Sequence, residues 1–303
     1  MRDDSPGWLA VEDDFEAMLD PRWSRMAVGG GTVATGNSRL RLALPGATRG
    51  VYRDAQIDDY TGLRAARYRW RPPLRMEVVA RASHPAAPSV PATPDVGEFY
   101  SPSPRGRGSW GVRSAPPEDG QQRFLRGTAG FGFWNYPLTR AGGVPRLPNS
   151  VWFFGASPPS NMALVPGVPG WGWKAQVIHA HRWRTLALAL PTAGAVGWAR
   201  LRGREEAAAR QVRRFAGASE ALLTIDLSEW HTYTLEWRAE RAEFWVDGAQ
   251  VLTAPAPPAG PLGFVAWIDN QYAVATPRGS FGFGTLASGA EWLELDALRI
   301  TPL

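Results

Sequence analysis

The chain has 303 residues, 44% hydrophobic and 20% charged, and contains no cysteine. That composition excludes global disorder, a disulfide framework, thiolate metal centres and cysteine nucleophiles. The net charge of +5 comes from arginines spread along the sequence, with Lys174 the sole lysine. No basic stripe accompanies a recognition motif, so no nucleic-acid partner is expected. Nor is a membrane partner, because no stretch is long and apolar enough to span a bilayer. Residues 1–8 lack a basic start followed by an apolar run, which predicts a cytoplasmic protein.

Strand-like alternation recurs from end to end. In residues 39–44, Leu40, Leu42 and Leu44 share one face. In residues 67–71 the rings of Tyr68 and Trp70 point one way and three arginines the other, the pattern of a strand with a solvated face. Residues 84–120 are rich in proline and show no periodicity, which reads as a long loop insertion, either covering a cleft or disordered. Residues 204–215 carry helix signals: Glu205 and Glu206 in the first turn, Arg213 and Arg214 in the last, and Gly217 beyond.

Residues 231–237 alternate again, and residues 243–246 lead through Asp247-Gly248 into 249–252. An Asp-Gly pair between two strands predicts a hairpin with a type I′ turn, which needs positive φ at both positions. Leu293 and Leu295 share a face while Leu298 and Ile300 continue in the opposite phase, which predicts a β-bulge at Asp296-Ala297. These elements predict an all-β, two-sheet antiparallel β-sandwich spanning residues 1–303 as a single domain, with one short surface helix.

The segment Trp230-His231-Thr232-Tyr233-Thr234-Leu235-Glu236-Trp237, with Ala242-Glu243-Phe244-Trp245-Val246-Asp247-Gly248 after a short turn, resembles the hairpin of concanavalin A-like lectin/glucanase domains. It is especially similar to glycoside hydrolase family sixteen. The closing Leu293-Glu294-Leu295-Asp296-Ala297-Leu298-Arg299-Ile300 resembles that family's last strand. Asp14-Phe15, Trp23 and Leu40-Arg41-Leu42 resemble its opening strands. The resemblance implies a jelly roll of two curved sheets whose concave face grips an extended saccharide.

Retaining enzymes of that family carry Glu-x-Asp-x-x-Glu, or a form one residue shorter, on a concave strand, where two carboxylates serve as nucleophile and general acid. By chain order the equivalent strand falls near Val151-Trp152-Phe153-Phe154-Gly155-Ala156, and no Asp or Glu occurs between Gly120 and Arg204. That absence argues against family-sixteen hydrolysis.

The same region is crowded with aromatics instead. Trp134, Tyr136, Trp152, Trp171 and Trp173 are candidates to stack on sugar rings, with core packing the alternative for each. Asn270 and Tyr272, after a strand-like run, are candidates to hydrogen-bond ligand hydroxyls, with a tight turn the alternative.

Gln176 and His179 are candidate catalytic residues for lyase- or isomerase-like chemistry, with Arg75 neutralising a uronate, by a looser likeness to alginate lyases. His179 and His181 lack an evident third metal ligand, so neither metal nor cofactor is expected. The first expectation is a domain that binds carbohydrate or another extended ligand. An enzyme using His179 and Gln176, and a protein-interaction domain with a vestigial cleft, stand as alternatives.

Overall fold

The computed structural model describes residues 10–16, 18–61, 68–88, 122–135, 149–162, 164–165, 167–179, 217–275 and 281–303. In chain order the strands are β1 (Val11–Asp13), β2 (Ser24–Val28), β3 (Thr32–Thr35), β4 (Leu40–Leu44), β5 (Asp54–Asp58) and β6 (Leu74–Ala82). Next come β7 (Thr128–Trp134), β8 (Asn149–Ala156), β9 (Gly172–His179), β10 (Ala218–Leu222), β11 (His231–Trp237) and β12 (Arg241–Val246). The last are β13 (Ala249–Pro255), β14 (Gly263–Asp269), β15 (Gln271–Ala275), β16 (Phe281–Thr285) and β17 (Glu291–Pro302).

An eight-stranded sheet runs β13-β12-β11-β6-β17-β4-β3 with β1 added against β17, and a seven-stranded sheet runs β10-β9-β8-β7-β14-β5-β2. β15 and β16 form a separate hairpin. Neighbouring strands pair antiparallel in both large sheets. The all-β, two-sheet antiparallel sandwich implied by the sequence is the observed architecture.

Period-two alternation selects the core. Leu40, Leu42 and Leu44 of β4, Met76 and Val78 of β6, and Tyr233, Leu235 and Trp237 of β11 face inward from the eight-stranded sheet. Phe131 and Phe133 of β7, Phe153 of β8, Trp173 of β9 and Phe264 of β14 meet them from the other sheet. Tyr233 joins the layers, its ring 5.0 Å from both Phe131 and Phe153 in edge-on contact. Each such contact contributes about 0.5–1.5 kcal/mol beyond area burial.

The hairpin expected at Asp247-Gly248 is present, with φ of 50° and 79° and Val246 paired to Ala249. Asp247 also ties the neighbouring strand, accepting from Thr232 N at 2.8 Å and from His231 Nδ1 at 2.6 Å. The bulge in β17 occurs where predicted, between Leu295 and Ala297, and returns Leu298 and Ile300 to the core.

The segment around Tyr68 corrects the strand expectation. Tyr68 and Arg69 lie outside any strand, and Trp70 makes an isolated bridge to Leu262. Trp70 packs in the core, 5.8 Å from Phe133, whereas Tyr68 belongs to a second cluster on the opposite face of the seven-stranded sheet. A strand would have kept both rings on one side.

The helix expected at 204–215, His181, and residues 89–120 of the proline-rich insertion lie outside the described residues.

The arginines of the eight-stranded sheet are stacked and paired on its outer face. Arg81 lies 4.6 Å from the ring of Trp230 and 5.3 Å from that of Trp292, and Arg41 lies 4.7 Å from Trp292. Both arginines bind the Glu294 carboxylate.

Phe133 is fully buried and contacts Trp70, Trp237 and Phe264. Phe133→Ala is expected to lower unfolding stability by about 3–5 kcal/mol, read as a shifted denaturant midpoint at unchanged slope.

Candidate functional site

The candidate site is the outer face of the seven-stranded sheet, and its floor follows from the sequence Gly130-Phe131-Gly132-Phe133-Trp134. The phenylalanines of β7 point into the core, so alternation turns Gly130 and Gly132 outward. Gly130 lies between Phe154 of β8 and Trp267 of β14, and Gly132 lies between Trp152 and Val265. A Cβ at Gly130 would come 2.9 Å from the Trp267 ring, and one at Gly132 2.6 Å from Trp152 Cα. The bare backbone makes room for the side chains of the neighbouring strands.

The rings form a continuous strip. Trp134 stacks on Trp152 at 5.8 Å, Trp152 on Phe154 at 5.4 Å, and Trp267 closes on Trp152 at 5.1 Å. Tyr60, Tyr68, Val265, Ala156 and Met162 pack around them. Phe154 and Trp267 are buried, whereas Trp134 and Trp152 remain partly exposed.

Each indole N–H of the strip is taken by the protein. Trp134 Nε1 donates to Tyr60 Oη at 2.5 Å, Trp152 Nε1 to Gln176 Oε1 at 2.8 Å, and Trp267 Nε1 to Thr128 Oγ1 at 3.0 Å. These bonds fix the ring planes.

Polar groups line both flanks. On β9 and β10, Gln176 Nε2 donates to Glu220 Oε2 at 3.0 Å, and the Lys174 ammonium pairs with the same oxygen at 3.2 Å. Glu220 Oε1 accepts from Val165 N, and Lys174 also donates to the Pro169 carbonyl, so the buried pair anchors Val165 and Pro169. Burial pushes the Lys174 ammonium below its ordinary value, against the opposing pull of Glu220.

On the other flank, the alternation of Asp54-Ala55-Gln56-Ile57-Asp58 turns the polar residues of β5 outward. Asp58 accepts from Gln56 Nε2, Tyr60 N, Thr61 N and Thr61 Oγ1. Asp269 Oδ1 accepts from Thr128 Oγ1 and Gln271 N, and burial holds its carboxyl up at about 6. Asp54 faces Asp269 across the strands. Burial first, and then the charges of Asp269 and Asp58, raise the Asp54 carboxyl to about 8.

Of the residues singled out in the sequence, Trp134, Trp152 and Gln176 come together on this face. Tyr136 lies outside the described residues. Trp171 stands apart from the strip, donating to the Pro88 carbonyl at 2.9 Å.

Three expectations are corrected. Trp173 is a core residue, 1% exposed, because it shares the inward phase of β9 with Ala175 and Val177. Asn270 is fully buried and structural, its amide donating to the Val51 and Leu286 carbonyls while its oxygen accepts from Arg53 N. The triad of Gln176, His179 and Arg75 does not converge. His179 shares the core-side phase of β9, opposite Gln176, with Nδ1 2.8 Å from the Ala256 carbonyl. Arg75 sits on the outside of the other sheet, paired with Glu77 and Glu236.

Sequence reasoning missed Trp267, Tyr60 and the acids of β5. The polar alternation of 54–58 was the available signal. Among the described residues, no group of three His, Asp or Glu side chains is placed to hold a metal.

No protein-family model matches the sequence, and no curated protein does. Solved structures similar to the chain include an endo-acting O-glycanase of the human gut microbiota, at 13% identity and a TM-score of 0.49, covering 97% of this chain and 98% of that one. A prokaryotic β-1,3-1,4-glucanase from a mouse hindgut metagenome is similar at 11% identity and 0.47, covering 97% and 99%. The β-glucanase of Bacillus licheniformis is similar at 11% identity and 0.46, covering 97% and 98%.

Two predictions follow from the flanks. The Asp54 carboxyl titrates near 8 in the fold and near 4 when unfolded, so its stabilising contribution is complete below about pH 4 and drains away as pH rises to 8. Asp54→Asn should therefore flatten the fall in stability between pH 4 and 8 by up to about 1.4 kcal/mol per pH unit, measured by urea titration across that range. Lys174→Met leaves Glu220 buried without its cation, and should cost about 3–5 kcal/mol in the same assay at pH 7.

Proposed function

We propose that the outer face of the seven-stranded sheet binds an extended carbohydrate, with sugar rings packing against the partly exposed Trp134 and Trp152. The observation that carries this reading is the strip itself. Its ring planes are fixed by internal hydrogen bonds to Tyr60, Gln176 and Thr128, and Trp134 and Trp152 keep part of their surface in solvent. A pre-ordered aromatic platform loses little side-chain entropy when a ligand settles on it.

The reading does not extend to the hydrolysis carried out by family sixteen. β8, where the carboxylates of such an enzyme would project, presents Trp152 and Phe154 outward. A carboxylate pair acting across a glycosidic bond has no counterpart on that strand. The reading is therefore a carbohydrate-binding domain rather than a retaining glycosidase.

A panel of neutral and acidic polysaccharides, followed by intrinsic tryptophan fluorescence, tests it. Saturable spectral shifts are expected with at least one polymer, and Trp152→Ala should weaken that binding by about five- to tenfold while the circular dichroism spectrum stays native. Absence of a saturable shift with every polymer would remove the carbohydrate reading.

A further inference from the structure

A second concavity, of about 440 Å³, lies away from the strip, between residues 49–52 and the β15–β16 hairpin. Its walls include Arg49, Tyr52, Gln271, Tyr272, Phe283 and Thr285. That volume is within the range of small-ligand sites.

The walls are held in place from beneath. Asn270 bonds the Val51 carbonyl, the Leu286 carbonyl and Arg53 N at 2.9 Å each, clamping the 51–53 segment to the base of the hairpin. Gly50 N donates to Thr285 Oγ1 at 2.8 Å, joining the walls a second time. The Tyr272 ring lies directly over Gly284, where a Cβ would come 2.8 Å from Cε1, so glycine there sets the ring's position.

What the cleft displays is unusual for this molecule. Phe283 is 91% exposed, one of the few large hydrophobic side chains left in solvent among the described residues, and it lies on the cleft wall with the rings of Tyr52 and Tyr272. A solvent-facing apolar ring at a concavity is a natural contact surface. Arg49 is exposed and has no carboxylate partner among the described residues, in contrast to Arg41, Arg75, Arg81 and Arg299, which are each paired.

A ligand complementary to these walls needs an apolar C–H face for the aromatics, hydroxyls for Gln271 and Thr285, and a planar anion for the guanidinium. We propose that this cleft binds a carboxylate-bearing sugar unit, a uronate, with Arg49 forking onto the carboxylate and Tyr272 and Phe283 bracketing the pyranose. The proposal rests on the carbohydrate reading above and narrows its ligand class to acidic glycans. A guanidinium suits the task because its donor geometry matches a carboxylate bidentately.

The test uses the full chain and a matched pair of probes, a disaccharide ending in glucuronate and the same disaccharide ending in glucose, titrated by calorimetry with benzoate as a third arm. The uronate disaccharide is expected to bind at least about tenfold tighter than its neutral counterpart, a charged hydrogen-bonded pair being sufficient for that ratio. Arg49→Gln should erase the preference, and Phe283→Ala should weaken binding of the uronate probe; both residues are exposed, so the fold is retained. Trp152→Ala should leave the preference intact, which separates failure here from failure of the strip. Equal binding of the two disaccharides, a preference that survives Arg49→Gln, or no binding of the uronate disaccharide would each overturn the proposal. Benzoate binding as tightly as the uronate probe would overturn the assignment to a sugar.

Discussion

A sheet in a two-layer sandwich normally buries one face and wets the other, and the seven-stranded sheet here carries an aromatic strip, flanked by polar groups, on its outer face as well. The reason lies in β7, where phenylalanine and glycine alternate. Phe131 and Phe133 fill the space between the layers, and the glycines between them leave the opposite side of the backbone uncovered. Trp152, Phe154 and Trp267 from the neighbouring strands occupy that vacancy and touch one another across it. A side chain at 130 would collide with the Trp267 ring, and one at 132 with the backbone that carries Trp152.

The polar groups of the same face are subordinate to the rings. Gln176, Thr128 and Tyr60 each serve an indole N–H, and each is held by a further group or by packing. Gln176 is oriented by Glu220 and Thr128 by Asp269, while Tyr60 packs in the cluster. The two flanks solve the cost of buried charge differently. On β9 and β10 a cation and an anion neutralise each other; on β5 and β14 burial raises the carboxyls of Asp54 and Asp269, with neighbouring charge adding to it at Asp54, so that they hold their protons to higher pH.

The architecture was readable wherever one face of a strand is plainly polar. Arg39 to Leu44 shows its inward leucines directly, Asp247-Gly248 announces its turn, and the phase change after Leu295 gives the bulge. In β9 the alternation of Lys174 and Gln176 against Trp173, Ala175 and Val177 already placed Trp173 inward, yet the density of tryptophan around it drew the opposite expectation. β14 offers no such cue, since Gly263 to Ile268 is apolar throughout, so the outward phase of Trp267 depends on which neighbours it meets. Asn270 is beyond sequence reasoning altogether. Its role depends on carbonyls at 51 and 286, brought together by the sheet and unrelated in chain position. Tyr68 and Trp70 mislead for the converse reason: a two-residue spacing normally keeps side chains on one face, but here the chain is outside a regular strand and delivers them to opposite faces.

The solitary lysine gives the molecule an internal gauge of its own integrity. Lys174 is 2% exposed, with its ammonium enclosed by Glu220 and the Pro169 carbonyl. Amine-directed reagents therefore meet no accessible ε-amine in the folded protein, and acylation at this position reports the opening of one edge of the seven-stranded sheet. A mark located on Lys174 itself, apart from any on the α-amine, that forms faster than the protein unfolds globally would report local release of Val165 and Pro169, without any engineered probe.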